Sequence, residues 1–246
     1  MIKFKKEDIF IVTGASSGIG QGVALRLNEL GATVIATGRS LEKLEETKSL
    51  CTFKDNIFLE QKELTENIND LPNWIKSLRD KYGKMRGLVC VAGRDFPNAL
   101  QVLDEEKSKN LFDINYFAPV FLAKGFADRR INTGDNASIT FVASTAAVQP
   151  EKGQTIYAAS KAALLASSKS ISKELASKGI RVNCVSPAYV ETPMYYKNLE
   201  TLGTNIDEYP LGIGKPSDLS ALIAFLASDE ARWITGQNYI LDGGYL

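Results

Sequence analysis

Tyr157 and Lys161 stand four residues apart in the run YAASK, and Ser144 lies thirteen residues before the tyrosine. On a helix, positions i and i+4 share one face, so the Lys161 ammonium can stand beside the Tyr157 phenol. A cation there favours phenolate, and it brings a group that ordinarily titrates at about pH 10 within reach of exchanging a proton with an alcohol. A second constellation opens the chain. The run TGASSGIG, Thr13 to Gly20, follows an apolar stretch and leads into a helical one. Glycines there permit a tight turn and close backbone approach, while a helix amino end offers N–H groups and a positive dipole to a pyrophosphate. Gly14, Ser16, Ser17, Gly18, Ile19 and Gly20 are the candidate cradle. The glycine spacing is G-x-x-x-G-x-G, a departure from G-x-G-x-x-G, and a strand-turn-helix needs glycine for structural reasons too. Taken together, the two constellations fit hydride transfer between a nicotinamide and a carbonyl or alcohol.

Composition narrows the chemistry by exclusion. The 246 residues carry 29 basic and 29 acidic side chains and no histidine. Balanced charge gives no bulk attraction to nucleic acid or to an anionic membrane surface, so small molecules are the expected partners. Without histidine there are no histidine triads or His-Glu-x-x-His zinc sites, and acid–base work falls to Tyr, Lys, Asp, Glu or Cys. Cys51, Cys90 and Cys184 are widely spaced and odd in number. That speaks against a disulfide framework or a thiolate metal site and for small buried apolar residues in a reducing compartment. No metal is expected. The amino terminus lacks an apolar core of signal-peptide length, and no apolar run reaches the roughly eighteen residues of a membrane span. The expectation is a soluble cytoplasmic protein.

Short apolar runs alternate with stretches of helical spacing, the pattern of β-α-β units. Strands are expected at Ile9 to Gly14, Thr33 to Gly38, Ile57 to Gln61, Gly87 to Gly93, Ala137 to Ser144, Ile180 to Pro187 and Tyr239 to Asp242. Near-continuous apolar segments such as GLVCVAG at Gly87 to Gly93 suit strands covered on both faces. The fold class is therefore α/β, one domain over 1–246, with a doubly wound parallel sheet of seven strands and helices on both faces. Right-handed crossovers put the strand carboxyl ends along one edge, where ligands bind near the switch point. Gly14, Gly93, Ser144 and Pro187 all fall there. Leu103 to Arg130 and Thr155 to Lys178 read as two long helices, and 188–214 reads as an irregular substrate-binding loop.

Thr37, Gly38 and Arg39 close the second strand, where an acidic side chain would hold the ribose hydroxyls of NAD. Gly38 leaves room, and the fork of Arg39 suits a 2′-phosphate, so NADP (NADPH) is the favoured cofactor and NAD the possible one. Stacking on adenine or simple exposure is the other reading of Arg39. Ser144 can donate to a substrate oxygen, although serine is also an ordinary strand-ending residue. Asn115 is a polar residue among apolar neighbours. It reads either as a local cap or solvated position, or as a helix distortion whose side chain or freed carbonyl holds a water.

The chain resembles the short-chain dehydrogenase/reductase family along nearly its whole length. The resemblance rests on TGASSGIG, on Glu63 and Leu64 at the place of an adenine-contacting Asp-Val pair, and on Ala92 and Gly93 closing an Asn-Asn-Ala-Gly motif. Asn115, Ser144, YAASK, SPAYVET at Ser186 to Thr192 and TGQNYILDGG at Thr235 to Gly244 complete it. It implies a Rossmann-like fold with Tyr157 as general acid in reduction and base in oxidation, Ser144 orienting the carbonyl, and Asn115 holding a water that links Lys161 to solvent. Lys161 would also lower the Tyr157 pKa and hydrogen-bond the nicotinamide ribose. The segment after Pro187, with Val190 and Thr192, would grip the carboxamide. The resemblance further suggests a homotetramer, or a homodimer, using the two long helices and the carboxyl-terminal strand. Two departures stand out. Cys90 and Val91 replace both asparagines of the motif, which implies altered local stability, and Ala188 replaces a glycine, which matters only where positive φ is needed.

Within that family the general likeness is to 3-oxoacyl carrier-protein reductases and related carbonyl reductases. An acidic carrier needs a basic patch near the cleft. Arg129, Arg130 and Lys178 are candidates, while Asp135 occupies a position where an arginine of such a patch is expected. Arg94 could reach a carboxylate or phosphate on a smaller substrate, and Met194, Tyr195 and Tyr196 could line an amphipathic pocket. The alternatives are an NAD-dependent alcohol or sugar dehydrogenase and, from another class, a noncatalytic dinucleotide-sensing protein.

Overall fold

The computed structural model describes residues 2–202 and 206–246. Seven strands run β1 Ile9–Thr13, β2 Thr33–Gly38, β3 Ile57–Gln61, β4 Gly87–Cys90, β5 Ala137–Val142, β6 Ile180–Pro187 and β7 Asn238–Leu241. They form one sheet in the order β3-β2-β1-β4-β5-β6-β7, every neighbouring pair parallel. Alternation along each strand divides the apolar side chains between two cores. In β1, Ile9 and Ile11 face one core and Phe10 and Val12 the other.

The first core is covered by α3 Leu71–Tyr82, α5 Ala118–Phe126 and α6 Thr155–Ala176, while α4 Glu105–Phe112 packs against α6. The second is covered by α1 Gly18–Glu29, α2 Leu41–Ser49 and α8 Pro216–Ala227. The five inner strands, β2, β1, β4, β5 and β6, are therefore buried on both faces, which is why they read as nearly unbroken apolar runs, while the edge strands β3 and β7 are partly exposed. The chain enters in the middle at β1, builds outward to β3, then returns to place β4 on the other side of β1. That reversal is the switch point.

At the switch point the β1–β4 pairing stops after Val12 opposite Val89. The Thr13 hydroxyl takes over, accepting hydrogen bonds from the backbone N–H of Val91 at 2.9 Å and of Ala92 at 3.0 Å. This ends β4 three residues before the expected Gly93 and turns the chain out of the sheet. It also answers for the missing asparagines, because Thr13 ties down the backbone at Val91 and Ala92 while Cys90 is buried in the apolar core.

Two expectations need correction. The single helix expected over Leu103 to Arg130 is α4 and α5 joined by a π-helical turn, Asp113–Phe117, in which the Ala118 N–H reaches the Asp113 carbonyl. Pro119 explains the break: in an α-helix the N–H of residue 119 would bond the Asn115 carbonyl, and proline has none. The segment expected to be an irregular loop contains helix α7, Pro193–Leu202, and a short 3₁₀ turn, Ile206–Glu208. Thr192 starts α7 by accepting from the Tyr195 N–H at 3.2 Å, directly before Pro193. Thr-Pro is a readable helix start that the Tyr- and Asn-rich composition obscured. Residues 203–205 of that segment lie outside the described residues.

Thr13→Val keeps the side-chain volume but removes the acceptor for two backbone donors. It is expected to lower unfolding stability by about 2 kcal/mol and to weaken dinucleotide binding, as read from urea denaturation and nucleotide titration of the same variant.

Candidate active site

Two adjoining cavities open at the carboxyl edge of the sheet. One is lined by the glycine-rich turn from Gly14 through Ser16, Ser17, Gly18, Ile19 and Gly20, with Arg39, Glu63, Leu64, Ala92, Gly93 and Thr192. The other holds Ser144, Tyr157, Lys161, Pro187, Val190 and Thr192. Ile19, Val91, Gly93, Arg94, Thr192 and Met194 line both, so the two form one continuous cleft. Every cofactor-binding candidate from the sequence therefore borders it. Of the four catalytic candidates, Asn115 alone stands behind the wall.

The first cavity fits a dinucleotide. Gly14 and Gly18 take φ of +68° and +54°, conformations that side chains disfavour. A Cβ added to Gly20 would fall inside contact distance of the Gly14 carbonyl, so α1 starts against the turn with no space for a side chain. No acidic residue occupies the first turn of α1, and its N-cap, Ser17, makes no side-chain cap hydrogen bond, which leaves the helix amino end to an anion. Thr37 Oγ1 is buried on the cavity wall and lacks a hydrogen-bond partner, a polar atom suited to a ligand donor or acceptor.

Charge at the far end of this cavity is arranged differently from the sequence reading. No acid closes β2, but Glu63, just beyond β3, places a carboxylate oxygen 3.8 Å from Arg39 and 3.8 Å from Arg94. Burial pushes the Glu63 carboxyl up, yet two hydrogen bonds from Thr65 and the neighbouring arginines outweigh it, and the net displacement is downward. Glu63 is thus an anion between two cations. Lys62 lines the same cavity.

Ser144 follows β5 and caps a short turn by accepting from the Ala146 N–H at 3.2 Å, which leaves its proton to donate. Tyr157 lies in the first turn of α6 and Lys161 one turn further along the same face. Asn115, 1 % exposed, is held completely by protein. Its Oδ1 accepts from Arg94 N at 2.9 Å, and its Nδ2 donates to the Arg94 carbonyl at 2.9 Å and to Ser160 Oγ at 3.1 Å. The helix distortion of the sequence reading is present, with the Asn115 carbonyl opposite Pro119.

Electrostatics also differ from the simplest expectation. Lys161 Nζ donates to the Val142 carbonyl at 2.9 Å and lies 5.9 Å from the centre of the Tyr157 ring. Desolvation pushes the Tyr157 phenol up; a hydrogen bond with Ser144 opposes this, and the Asp95 carboxylate reinforces it. Loss of water also lowers the Lys161 ammonium, 4 % exposed, from its ordinary 10.5 to about 8. In this state the tyrosine is a neutral phenol and the lysine a stronger acid than an exposed one.

Several cleft residues had no local signal in the sequence. Asp95, Gln149, Gln154, Asn198 and Tyr209 line the second cavity and come from segments far apart in the chain. Asn198 Nδ2 donates to Asp95 Oδ2 at 2.7 Å across 103 positions. Ala188 is well placed without glycine, since Asn136 is the one non-glycine with positive φ among the described residues. No helix among the described residues is long and apolar enough to cross a membrane, and none of their acidic and cysteine side chains form a metal-holding group of three or more.

A doubly wound parallel sheet with a glycine-lined dinucleotide cavity opening onto a Ser, Tyr and Lys cleft defines a nicotinamide-dependent oxidoreductase. The family model described as enoyl-(acyl carrier protein) reductase matches residues 14–246. The chain is 35% identical over 241 residues to a 3-oxoacyl-[acyl-carrier-protein] reductase of Thermotoga maritima, covering 96% of each chain, and 31% identical to that of Vibrio harveyi with the same coverage. Among solved structures, a short-chain dehydrogenase/reductase of Brucella melitensis titled glucose/ribitol dehydrogenase superposes with a TM-score of 0.91 at 27% identity, covering 100% of this chain and 99% of that one. A short-chain dehydrogenase of Burkholderia cenocepacia in complex with NADP gives 0.87 at 27% identity, covering 98% of each. The chain belongs to the short-chain dehydrogenase/reductase family and is an NAD(P)-dependent enzyme of that type.

The buried lysine makes a stability prediction. Because the folded protein binds this proton more weakly than the unfolded chain, its ionisation lowers stability fully below about pH 8, and the penalty disappears as pH rises toward 10.5. The gap corresponds to about 3 kcal/mol. Lys161→Met is expected to raise the cofactor-free Tm at pH 7 and to remove the wild-type gain in stability between about pH 8 and 10.5, as measured by calorimetry across that range.

Proposed function

We propose that this enzyme transfers hydride between NADPH and a ketone carbonyl, with Tyr157 as the proton donor and Ser144, Lys161 and Asn115 in support. The observation that carries the reading is the placement of Ser144 and Tyr157 beside the cavity that fits the dinucleotide. When bound, the dinucleotide supplies the hydride. Ser144, with its acceptor side used by Ala146, donates to the substrate oxygen and fixes the carbonyl. Tyr157, kept protonated at neutral pH by its surroundings, gives its proton to that oxygen as negative charge develops there. Lys161 sits behind the phenol at a pKa where it can hand on a proton, and in this reading it also hydrogen-bonds the nicotinamide ribose. Asn115 positions the loop at Arg94 and ties it to α6 through Ser160, holding the two walls of the cleft in register.

Preference for NADP rests on Arg39, supported by Lys62 at the same end of the cavity and by the relative solved with NADP. A second reading, an NAD-dependent alcohol or sugar dehydrogenase, rests on Glu63, whose carboxylate could take ribose hydroxyls while partly neutralising Arg39. Fluorescence titration with NADPH and NADH at one ionic strength separates the two. Arg39→Ala is expected to weaken NADPH about tenfold or more and NADH much less; equal losses would reject a 2′-phosphate contact.

Tyr157→Phe deletes the proton donor but little cofactor contact. Turnover is expected to fall by at least about a thousandfold while NADPH affinity changes little, since a donor acting in the transition state lowers kcat more than binding. Retained turnover would reject Tyr157 as the acid.

A further inference from the structure

We propose that the substrate half of the cleft selects an uncharged, hydroxyl-rich compound, a polyol or the matching hydroxy ketone, through the carboxylates of Asp95 and Glu151. This rests on the oxidoreductase reading above and narrows it. Asp95 follows β4 and Glu151 precedes α6, and a backbone hydrogen bond from Asn98 N to the Gly153 carbonyl at 2.9 Å ties their two segments together beside Tyr157. Asp95 accepts from Phe96 N and Asn198 Nδ2, each at 2.7 Å. Glu151 accepts from the Tyr245 hydroxyl at 2.9 Å and the Tyr189 hydroxyl at 3.3 Å. A carboxylate has about four acceptor positions, so each retains capacity for donors that a substrate must bring.

The rest of the lining narrows the class. Carboxamides of Gln149, Gln154 and Asn198 border the same space, and they offer donors as well as acceptors. A hydroxyl answers both kinds of group, whereas an ammonium answers only the carboxylates. Tyr189, Tyr195 and Tyr209 form a continuous aromatic wall, with ring centres 5.8 and 5.9 Å apart, suited to the C–H faces of a carbon chain. An anionic substrate meets two carboxylates, while Arg94 leans toward Glu63 and Lys161 donates to Val142. The basic candidates for an acidic carrier, Arg129, Arg130 and Lys178, come just before β5 and β6. They sit at the amino edge of the sheet, opposite the cleft.

In the oxidising direction the phenol of Tyr157 first gives up its own proton to solvent; the carbinol C–H bond then breaks with the hydride passing to the nicotinamide, and the hydroxyl proton passes to the Tyr157 phenolate. The test compares initial rates with NADP⁺ for a hexitol, hexan-2-ol, 6-aminohexan-2-ol and 3-hydroxybutyryl-CoA. The hexitol is expected to exceed hexan-2-ol in kcat/KM by about tenfold or more, because a site built to hydrogen-bond hydroxyls rejects an analogue that lacks them. Asp95→Asn and Glu151→Gln should each shrink that ratio severalfold, mainly through KM. A thermal shift of the wild-type protein by the hexitol, reduced in both variants, gives a readout independent of turnover. Nucleotide titration reports whether the variants are folded, and Glu151, at the exposed mouth, keeps the test available if Asp95→Asn is not. Preference for the CoA thioester, for the amino alcohol or for hexan-2-ol, or a ratio and shift unmoved by both variants, would overturn the proposal. Inertness of all four alcohols, together with no binding of either nucleotide in the titration, would reject the hydride-transfer reading of this cleft, and the thermal shift would still decide hydroxyl selection.

Discussion

The cleft depends on one interruption, the point where β1 and β4 cease to pair and the Thr13 hydroxyl takes the next two backbone donors of the departing chain. Had the ladder continued, Val91 to Gly93 would lie inside the sheet and no space would open at the switch point. Because it stops, Val91 and Gly93 form a wall shared by both cavities. The chain then reaches Arg94, whose backbone N–H and carbonyl are both claimed by Asn115. Asn115 is bound in turn to Ser160, one residue before Lys161. A run of short hydrogen bonds thus connects the carboxyl end of β1 to the face of α6 that carries Tyr157 and Lys161.

That connection explains why a helix distortion lies at the centre of a well-packed layer. A regular α-helix through Asp113–Phe117 would bury every carbonyl in its own ladder. Pro119 withholds one N–H, and the π turn shifts the residues before it relative to those after it. Asn115 can then face Arg94 and Ser160 while Ile114 and Ala118 stay in the core. The same packing strips water from Lys161. Dehydration makes the charged lysine costly in the cofactor-free protein, and it keeps Tyr157 protonated, so the stability cost and the neutral phenol come from one physical cause.

Strand positions were legible because burial on both faces leaves unbroken apolar runs, and the glycine-rich turn was legible because its conformations exclude side chains. Strand ends were read one to three residues too long at β1, β4, β5 and β7, since the bonds that end them come from side chains such as Thr13 rather than from a composition change. The long helix was misread for a related reason: one proline and one asparagine among helix formers do not outweigh the periodicity around them. α7 was missed although Thr192 and Pro193 mark its start, because the tyrosines that follow pack their rings on one another and give a weak helical pattern.

The sequence by itself determined the parallel α/β class, the glycine-rich turn and the pairing of Tyr157 with Lys161 on one helix face, because each of these depends on local conformation or on spacing within one helix. Tertiary structure decided which partners those residues meet. Lys161 turned out to bond Val142 and lie beneath the Tyr157 ring, Asn115 to bind Arg94 and Ser160, and Glu63 to stand between two arginines. It also assembled one wall of the second cavity from Asp95, Glu151, Asn198 and Tyr209, which are separated by up to 103 positions in a direct hydrogen bond. Contacts over such distances depend on how the sheet and helices pack, and packing is not encoded in any one segment.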